Sequence, residues 1–407
     1  MSEDTLTRVL RREGGRLTAV LAAAVGDLDL AEDALQDAGI SALEVWPRTG
    51  TPRDPAAWLY VAARRKALDR LRREQRRDDR EQAAVAMAAQ LAPTLPPPGV
   101  IEDDVLRLIF TCCHPALDLD ARVALALRTL CGLSTAEVAR VLLVNEATMA
   151  KRLTRAKAKI RRAGIAFRVP AAAELAGRTA GVCAVVHLVY TAGHTAASGE
   201  ELLREDLCDE AVRLGRLLVD LLPDQGSAQG LLALLLLTDA RRSTRTDDSG
   251  DLVTLADQDR SRWDGERIAE GLALLDRSLG AGDGRADAYQ LQAAIAACHA
   301  TAPSFAATDW AEVVRLYDIL VDLAPNPVVR VNRAVARAEL DGPGAALADL
   351  DAVEVGARTF GWHVARADLL GRTGDLVGSR EELGAALRLG GSEVERRHLE
   401  ARLARLG

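Results

Sequence analysis

Little in this chain favours an extracellular, membrane-spanning or sheet-rich protein. Six cysteines without a repeated spacing make no disulfide framework, so a reducing compartment is expected. Met1-Ser2-Glu3-Asp4-Thr5 has no basic segment leading into an apolar run, so no export signal is visible. The most apolar stretches, residues 182–189 and 231–237, are bounded by polar residues. Both fall short of the roughly 20 residues that span a bilayer, and no membrane partner is expected. Aromatic residues are scarce (five Trp, four Tyr, four Phe), while Leu, Ala and Arg dominate, which favours helices over strands. No Gly-rich phosphate loop and no neighbouring nucleophile and base appear, so no catalytic residue, enzyme activity or cofactor is expected. Cys112-Cys113-His114 has no Cys-x-x-Cys to complete a ligand set, and residues 247–251 lack the closing Glu of a calcium loop. No metal site is expected.

What the chain does have is length and unevenly spread charge. With 407 residues, 27% charged and 49% hydrophobic, it is long enough for two or three folded domains. The formal charge is −7, but residues 1–170 carry 27 Lys and Arg against 22 Asp and Glu, and the remainder 25 against 37. Residues 61–80 hold nine basic and four acidic side chains, and residues 151–168 hold eight basic and no acidic ones. Two basic helices on an otherwise acidic protein are a footprint that a phosphate backbone selects. Solvated helix faces carry such runs as well.

Asp54-Pro55 is a helix start, an N-cap acid followed by proline in the first turn, with the helix expected to run to Arg77. Residues 47–52 read as a loop ahead of it. Ala-Pro-Thr-Leu-Pro-Pro-Pro-Gly-Val, residues 92–100, reads as a stiff, extended linker. Further on, Ser134 and Glu137 have capping-box spacing, and Val138, Ala139 and Leu142 form an inner face. Leu143-Val144-Asn145 is a tight turn with Asn145 as the N-cap of a second helix. There Met149, Leu153, Ala156 and Ile160 make one buried stripe, leaving Lys151, Arg152, Arg155, Lys159 and Arg162 outside. This is a helix-turn-helix with a basic second helix, the geometry that enters a major groove. Its DNA-binding candidates are Asn145, Glu146, Thr148, Lys151, Arg152, Arg155 and Lys159, reaching base edges or phosphates. An ordinary αα-corner is the competing reading.

Those motifs carry a resemblance. Residues 134–157, Ser-Thr-Ala-Glu-Val-Ala through Asn-Glu-Ala-Thr-Met-Ala-Lys-Arg-Leu-Thr-Arg-Ala-Lys, resemble the fourth conserved region of extracytoplasmic-function (ECF) sigma factors of the sigma-70 family. In that family this helix reads the −35 promoter element. Asp29-Leu30-Ala31-Glu32-Asp33-Ala34-Leu35-Gln36-Asp37 resembles the segment that docks on the clamp helices of the polymerase β′ subunit. It makes Asp29, Glu32, Asp33, Gln36 and Asp37 the polymerase-binding candidates. Residues 58–73, Trp-Leu-Tyr-Val-Ala-Ala-Arg-Arg-Lys-Ala-Leu-Asp-Arg-Leu-Arg-Arg, resemble the helix that melts and recognises the −10 element. Its candidates are Trp58, Arg64, Arg65, Lys66, Arg70, Arg72 and Arg73; many family members have Asn where Arg65 stands here. Trp58 is either a stacking platform or a core residue packed against Leu35 and Leu68, and residues 47–53 are the candidate pocket for an extruded base.

The resemblance covers residues 1–165 and implies a bacterial, cytoplasmic RNA polymerase sigma factor that directs promoter recognition and transcription initiation. Its partners would be promoter DNA and core RNA polymerase, through the β′ clamp helices and the β flap.

Beyond residue 170, residues 309–325 and 375–391 share a form at a separation of 66 residues, about two units of a 34-residue helix-turn-helix repeat. Residues 328–340 and 344–353 form another helical pair. The pattern resembles degenerate tetratricopeptide (TPR) repeats, whose concave surface would take a protein or intramolecular partner. Residues 239–242 and 257–264, with Thr111-Cys112-Cys113-His114-Pro115, resemble one sigma subgroup that carries such an extension. That subgroup lacks an obvious dedicated anti-sigma factor, which implies control by the extension. The Arg/Asp/Trp cluster itself is either an ion-pair network joining repeats or a ligand site.

The expected fold is therefore all-α. Two small helical sigma domains (1–80 and 101–168, the second a helix-turn-helix) flank a Pro-rich linker (81–100), and a TPR-like domain (169–407) follows. The alternative is a helix-turn-helix regulator with a ligand- or protein-sensing C-terminal domain. The acidic segment around Asp33 and the separate −10-like helix discriminate, since a repressor needs neither.

Overall fold

The computed structural model describes residues 2–75, 95, 98–142, 144–194, 203–280, 285–354 and 358–406. Most of the linker assigned to residues 81–100, Leu143 of the tight turn and the side chains of Arg72 and Arg73 lie outside what is described. Among the described residues the fold is all-α, with eighteen α-helices and an isolated Thr246–Leu252 bridge as the only β feature. The chain divides into two compact units, Met1–Leu188 and Val189–Gly407.

The first unit is built from α1 (Ser2–Val25), α2 (Leu28–Thr49), α3 (Pro55–Gln75), α4 (Pro98–Cys112), α5 (Leu119–Leu125), α6 (Thr135–Val141), α7 (Glu146–Arg162) and most of α8 (Ala172–His194). A π-helical turn, Ala126–Leu130, follows α5. Helix α2 buries Ala31, Ala34, Leu35, Ala38, Ala42 and Trp46, a stripe of helical period whose alanines let α1 and α3 approach closely. The two sigma-like segments share this one unit. Helix α1 packs against α4 and against the π-turn, where a Cβ on Gly15 would lie 2.6 Å from the Leu130 carbonyl oxygen. Gly132, at φ +67°, turns the chain beside the Leu10 carbonyl.

Two boundaries differ from the sequence reading. Helix α2 runs through Pro47 to Thr49, so the expected loop begins only at Gly50, whose amide caps Trp46 at 3.0 Å. Pro47 sits in the last turn, where it removes a single amide donor, and the neighbouring Trp46 is 1% exposed and pins that turn in the core. Helix α4 begins at Pro98, inside the stretch read as extended linker, because proline is well suited to a helix's first turn.

The second unit contains α9 (Glu205–Leu221), α10 (Gly226–Asp239), α11 (Gly265–Gly280), α12 (Ala288–Thr301), α13 (Trp310–Leu323), α14 (Pro327–Leu340), α15 (Pro343–Asp351), α16 (Phe360–Thr373), α17 (Leu376–Leu389) and α18 (Glu393–Arg405). Successive helices pack on one another, so the apolar core is a series of local clusters. One gathers Leu291, Ile295, Val313 and Leu320; a second Ala334, Leu350 and Trp362; a third Ala367, Leu383 and Leu399. Helix α8 is long and apolar enough to cross a membrane by composition alone. Its Val182, Cys183, Val185, Val186 and Val189 are buried in the protein, and 39% of its apolar window is buried.

Candidate nucleic-acid interface

Ser134 accepts the Glu137 amide on its hydroxyl at 3.2 Å, and the Ser134 amide donates back to the Glu137 carboxylate at 2.7 Å. This capping box starts α6 where the sequence placed it. Val144 N–H then bonds the Ala139 carbonyl, and Asn145 Oδ1 accepts the Thr148 amide at 2.8 Å, starting α7. Met149, Leu153, Ala156 and Ile160 are buried beneath α7. The opposite face presents Glu146, Lys151, Arg155 and Lys159, all exposed, with Asn145 exposed ahead of them and Thr148 half-buried. A groove of about 460 Å³ runs along Thr148, Lys151, Thr154 and Arg155. A second hollow, about 270 Å³, lies between α5 and α7 and is lined by Arg152, Arg155 and Lys159 together with Asp118 and Asp120. Arg152 is partly occupied there, 3.2 Å from Asp120. The arrangement offers a helix N-terminus and a row of cations to a groove and its phosphates.

The second basic helix, α3, starts on Asp54, which accepts the Ala57 amide at 2.9 Å. Leu59, Tyr60, Ala63 and Ala67 are buried beneath it, Arg65 is exposed, and Arg64 and Lys66 are half-buried. Trp58 is half-buried and meets Trp46 edge-on, with ring centroids 5.6 Å apart; this partner is on α2, and the sequence reading did not name it. Arg70 does not stand free. It reaches Asp33 at 2.6 Å and Asp37 at 2.8 Å, and these carboxylates hold its guanidinium above the ordinary arginine range.

The acidic face of α2 is likewise engaged. Lys157, on the side of α7 turned from the groove, lies 2.6 Å from Glu32 and 3.2 Å from Asp29. Arg161 reaches Asp29 at 2.7 Å, and Thr129 donates its hydroxyl to Glu32 at 2.6 Å. Burial alone would lower the Lys157 ammonium, but Glu32 and Asp29 outweigh it and hold it above its usual range. Arg11 closes the unit from a third direction, 2.6 Å from Glu137. Of the five acidic-segment candidates, Gln36 and Asp33 remain exposed, Asp33 while paired with Arg70.

Two features escaped sequence reasoning. Lys157 and Arg161 were counted only in the basic run, since nothing in a charge run names a partner far away in the chain. Ile40 and Leu43 are 51% and 44% exposed and continue the line of Asp33 and Gln36 along α2. Their spacing of three and four residues was a legible signal for an unpartnered apolar stripe. Cys112 and Cys113 are buried thiols raised by burial, Cys113 to about 12.

The chain matches sigma-70 region 2 over residues 9–77 and sigma-70 region 4 over residues 107–160. Residues 178–279 match a family of unknown function, DUF6596. An uncharacterized protein of Rhizobium meliloti (strain 1021) is 42% identical over 395 residues, covering 93% of this chain and 90% of that protein. The ECF RNA polymerase sigma factor SigK of Mycobacterium ulcerans (strain Agy99) is 34% identical over 131 residues, covering 29% of this chain and 69% of that protein.

Proposed function

The chain belongs to the sigma-70 family of RNA polymerase sigma factors and serves promoter recognition, and from that premise we propose how its parts divide the work. Helix α7 reads −35 DNA through Glu146, Thr148, Lys151, Arg152, Arg155 and Lys159, with Asn145 fixing its first turn. Helix α3 opens and reads the −10 element with Trp58, Arg64, Arg65, Lys66, Arg70, Arg72 and Arg73. The Asp33, Gln36, Ile40 and Leu43 stripe docks on the β′ clamp helices, with Asp29, Glu32 and Asp37 joining it once their internal partners leave. Region 4 also meets the β flap. The protein is of the ECF kind, works in the cytoplasm without covalent chemistry, and carries a TPR-like extension for a protein or intramolecular partner. The equal lengths and Asp N-caps of α13 and α17 support the repeat reading.

The observation that carries this reading is the capped α7, with its apolar stripe inward and its cations outward. It also has a geometric consequence. Arg70 of α3 and Lys157 of α7 both grip α2 within Asp29–Asp37. The eight helical rises between these nine residues span only about 12 Å. By their names the two promoter elements lie about 25 base pairs apart, roughly 85 Å at 3.4 Å per pair. The closed unit therefore cannot hold both, and α7 leaves α2 when the promoter complex forms. Reconstituted transcription with core polymerase and mapped start sites tests the division of labour. The expected result is a set of starts that needs this chain and is lost in a Lys151→Ala, Arg155→Ala double variant. Starts unchanged by that variant would overturn the assignment of α7.

A further inference from the structure

The segment between α10 and α11, residues 240–264, folds back on itself through the Thr246–Leu252 bridge and two short 3-10 turns. Arginines crowd here, and only some are answered by acid. Arg242 pairs with Asp239 at 2.7 Å and Asp209 at 2.9 Å; Arg267 pairs with Asp239 and Asp264. Asp239, fully buried, is thereby spent.

Arg241, Arg245 and Arg260 have no carboxylate partner among the described residues. Arg245, 9% exposed, donates to the His194 backbone carbonyl. Arg260 donates to the carbonyls of His299 and Ala302, lies 4.7 Å above the Trp263 ring, and leaves Nη2 buried with no partner. The Arg241 guanidinium makes no hydrogen bond among the described residues, and the charges beside it are those of Arg260 and Arg245. The groups between them supply no negative charge. His299 also leaves Nδ1 buried and unpartnered. Burial, followed by the fields of these arginines, drives His194 down to about 2 and His299 to about 4, and burial keeps the Tyr190 phenol protonated. The Glu395 carboxylate, whose field reaches Arg245, is bound to the Ser392 amide and hydroxyl.

One buried and two half-buried guanidinium groups without a carboxylate partner among the described residues are expensive, and a fold retains them where an anion completes the set. We propose that Arg241, Arg245 and Arg260 form a binding site for a small phosphate-bearing anion. A carboxylate brings one charge and two oxygens. A phosphate group brings nearly two charges and three oxygens, which suits three forks and the orphan Nη2. Trp263 fixes the plane of the Arg260 fork from behind. Duplex DNA is excluded by the depth of Arg245. The three arginines and Trp263 lie within residues 178–279, and the site does not depend on how the chain meets its promoter.

Isothermal titration of the full chain with inorganic phosphate, at ionic strength held constant with chloride, tests this. Saturable single-site binding is expected, weakened roughly tenfold or more by Arg241→Gln, since a charge-assisted bond is lost. Arg216→Gln, which removes an exposed pair with Glu270, leaves it unchanged. Melting in phosphate-free buffer supplies the second readout. Arg241→Gln melts no lower than the parent there, because it removes an uncompensated charge, and only the parent gains melting temperature on adding phosphate. Glycerol phosphate in place of phosphate separates the sources: tighter binding assigns an organic ester, equal binding free phosphate. Absent saturation, binding undiminished in Arg241→Gln, or a lower phosphate-free melting temperature for that variant would each overturn the site.

Discussion

Lys157 and Glu32, 125 residues apart in sequence, meet at 2.6 Å with side chains only 18% and 12% exposed. The helix proposed to read −35 DNA is thus fastened by its back to α2, which carries the proposed polymerase-docking segment. Such a half-buried pair is stronger than a surface one and costly to break from one side, because the abandoned carboxylate keeps its burial. Lys157→Ala should destabilise the first unit by about 1–3 kcal/mol. The charge-swapped pair Lys157→Glu, Glu32→Lys should recover part of that loss. Denaturant melts of the parent, Lys157→Glu, Glu32→Lys and the swapped pair form the double-mutant cycle that checks it; additive losses would mean the pair has no coupling.

Gly15 tests the same closure without altering any charge. A methyl there would press on the backbone oxygen of Leu130, which cannot swing aside as a side chain would. Gly15→Ala should part α1 from the π-turn. Amide exchange at residues 126–132 should then quicken while α2 and α3 keep their protection. Unaltered exchange would mean the contact yields without opening.

Arg155 is exposed and has no ion-pair partner among the described residues, so its loss should leave stability untouched. Arg155→Ala is expected to weaken −35 binding by about 1–3 kcal/mol and to shallow the salt dependence by about one counterion if it meets a phosphate. Arg152 differs because Asp120 already holds it, although an exposed pair of that kind yields easily. Asn145→Ala should remove the N-cap, at a cost of about 1 kcal/mol to α7, and lower DNA affinity in step. Titration of promoter complexes at several salt concentrations, beside thermal melts of the free proteins, reads all three.

The second unit should be acid-sensitive. His299 is held at about 4 by burial and by Arg241 and Arg260, well below the 6.5 of an exposed imidazole. The unfolded chain therefore takes up the proton first. Stability is fully present above pH 6.5 and is lost as pH falls from there towards 4, at about 1.4 kcal/mol per pH unit for one such histidine. His299→Gln should flatten that slope, measured by denaturant melts followed through the tryptophan fluorescence. A slope unchanged by the substitution would assign the sensitivity elsewhere.

The helix-turn-helix was legible because every signal there is local. Ser134 and Glu137, Asn145, and the Met149 to Ile160 stripe each depend on residues within a few turns. The closure of the first unit was not legible, because the same lysine side chain can face DNA, water or Glu32 without altering its neighbours in sequence. The Pro-rich stretch suggested separation, yet the contacts that fix the two segments are Gly15 on Leu130 and Lys157 on Glu32. Trp58 illustrates the same limit at shorter range: its aromatic partner is Trp46, brought close by the α2–α3 turn rather than by helical period. In the second unit, alternating Arg and Asp in the sequence suggested mutual neutralisation. Asp239 pairs with Arg242 and Arg267, and Arg241 has no carboxylate partner among the described residues.

The most direct measurement is a footprint on one promoter with the free chain, with core polymerase, and with both. Both together should protect the −35 and −10 elements and open the latter, while the free chain, its basic helices fastened to α2, protects neither. Strong protection by the free chain alone, unchanged when polymerase is added, would contradict the assignment and mark the protein as an ordinary operator-binding regulator.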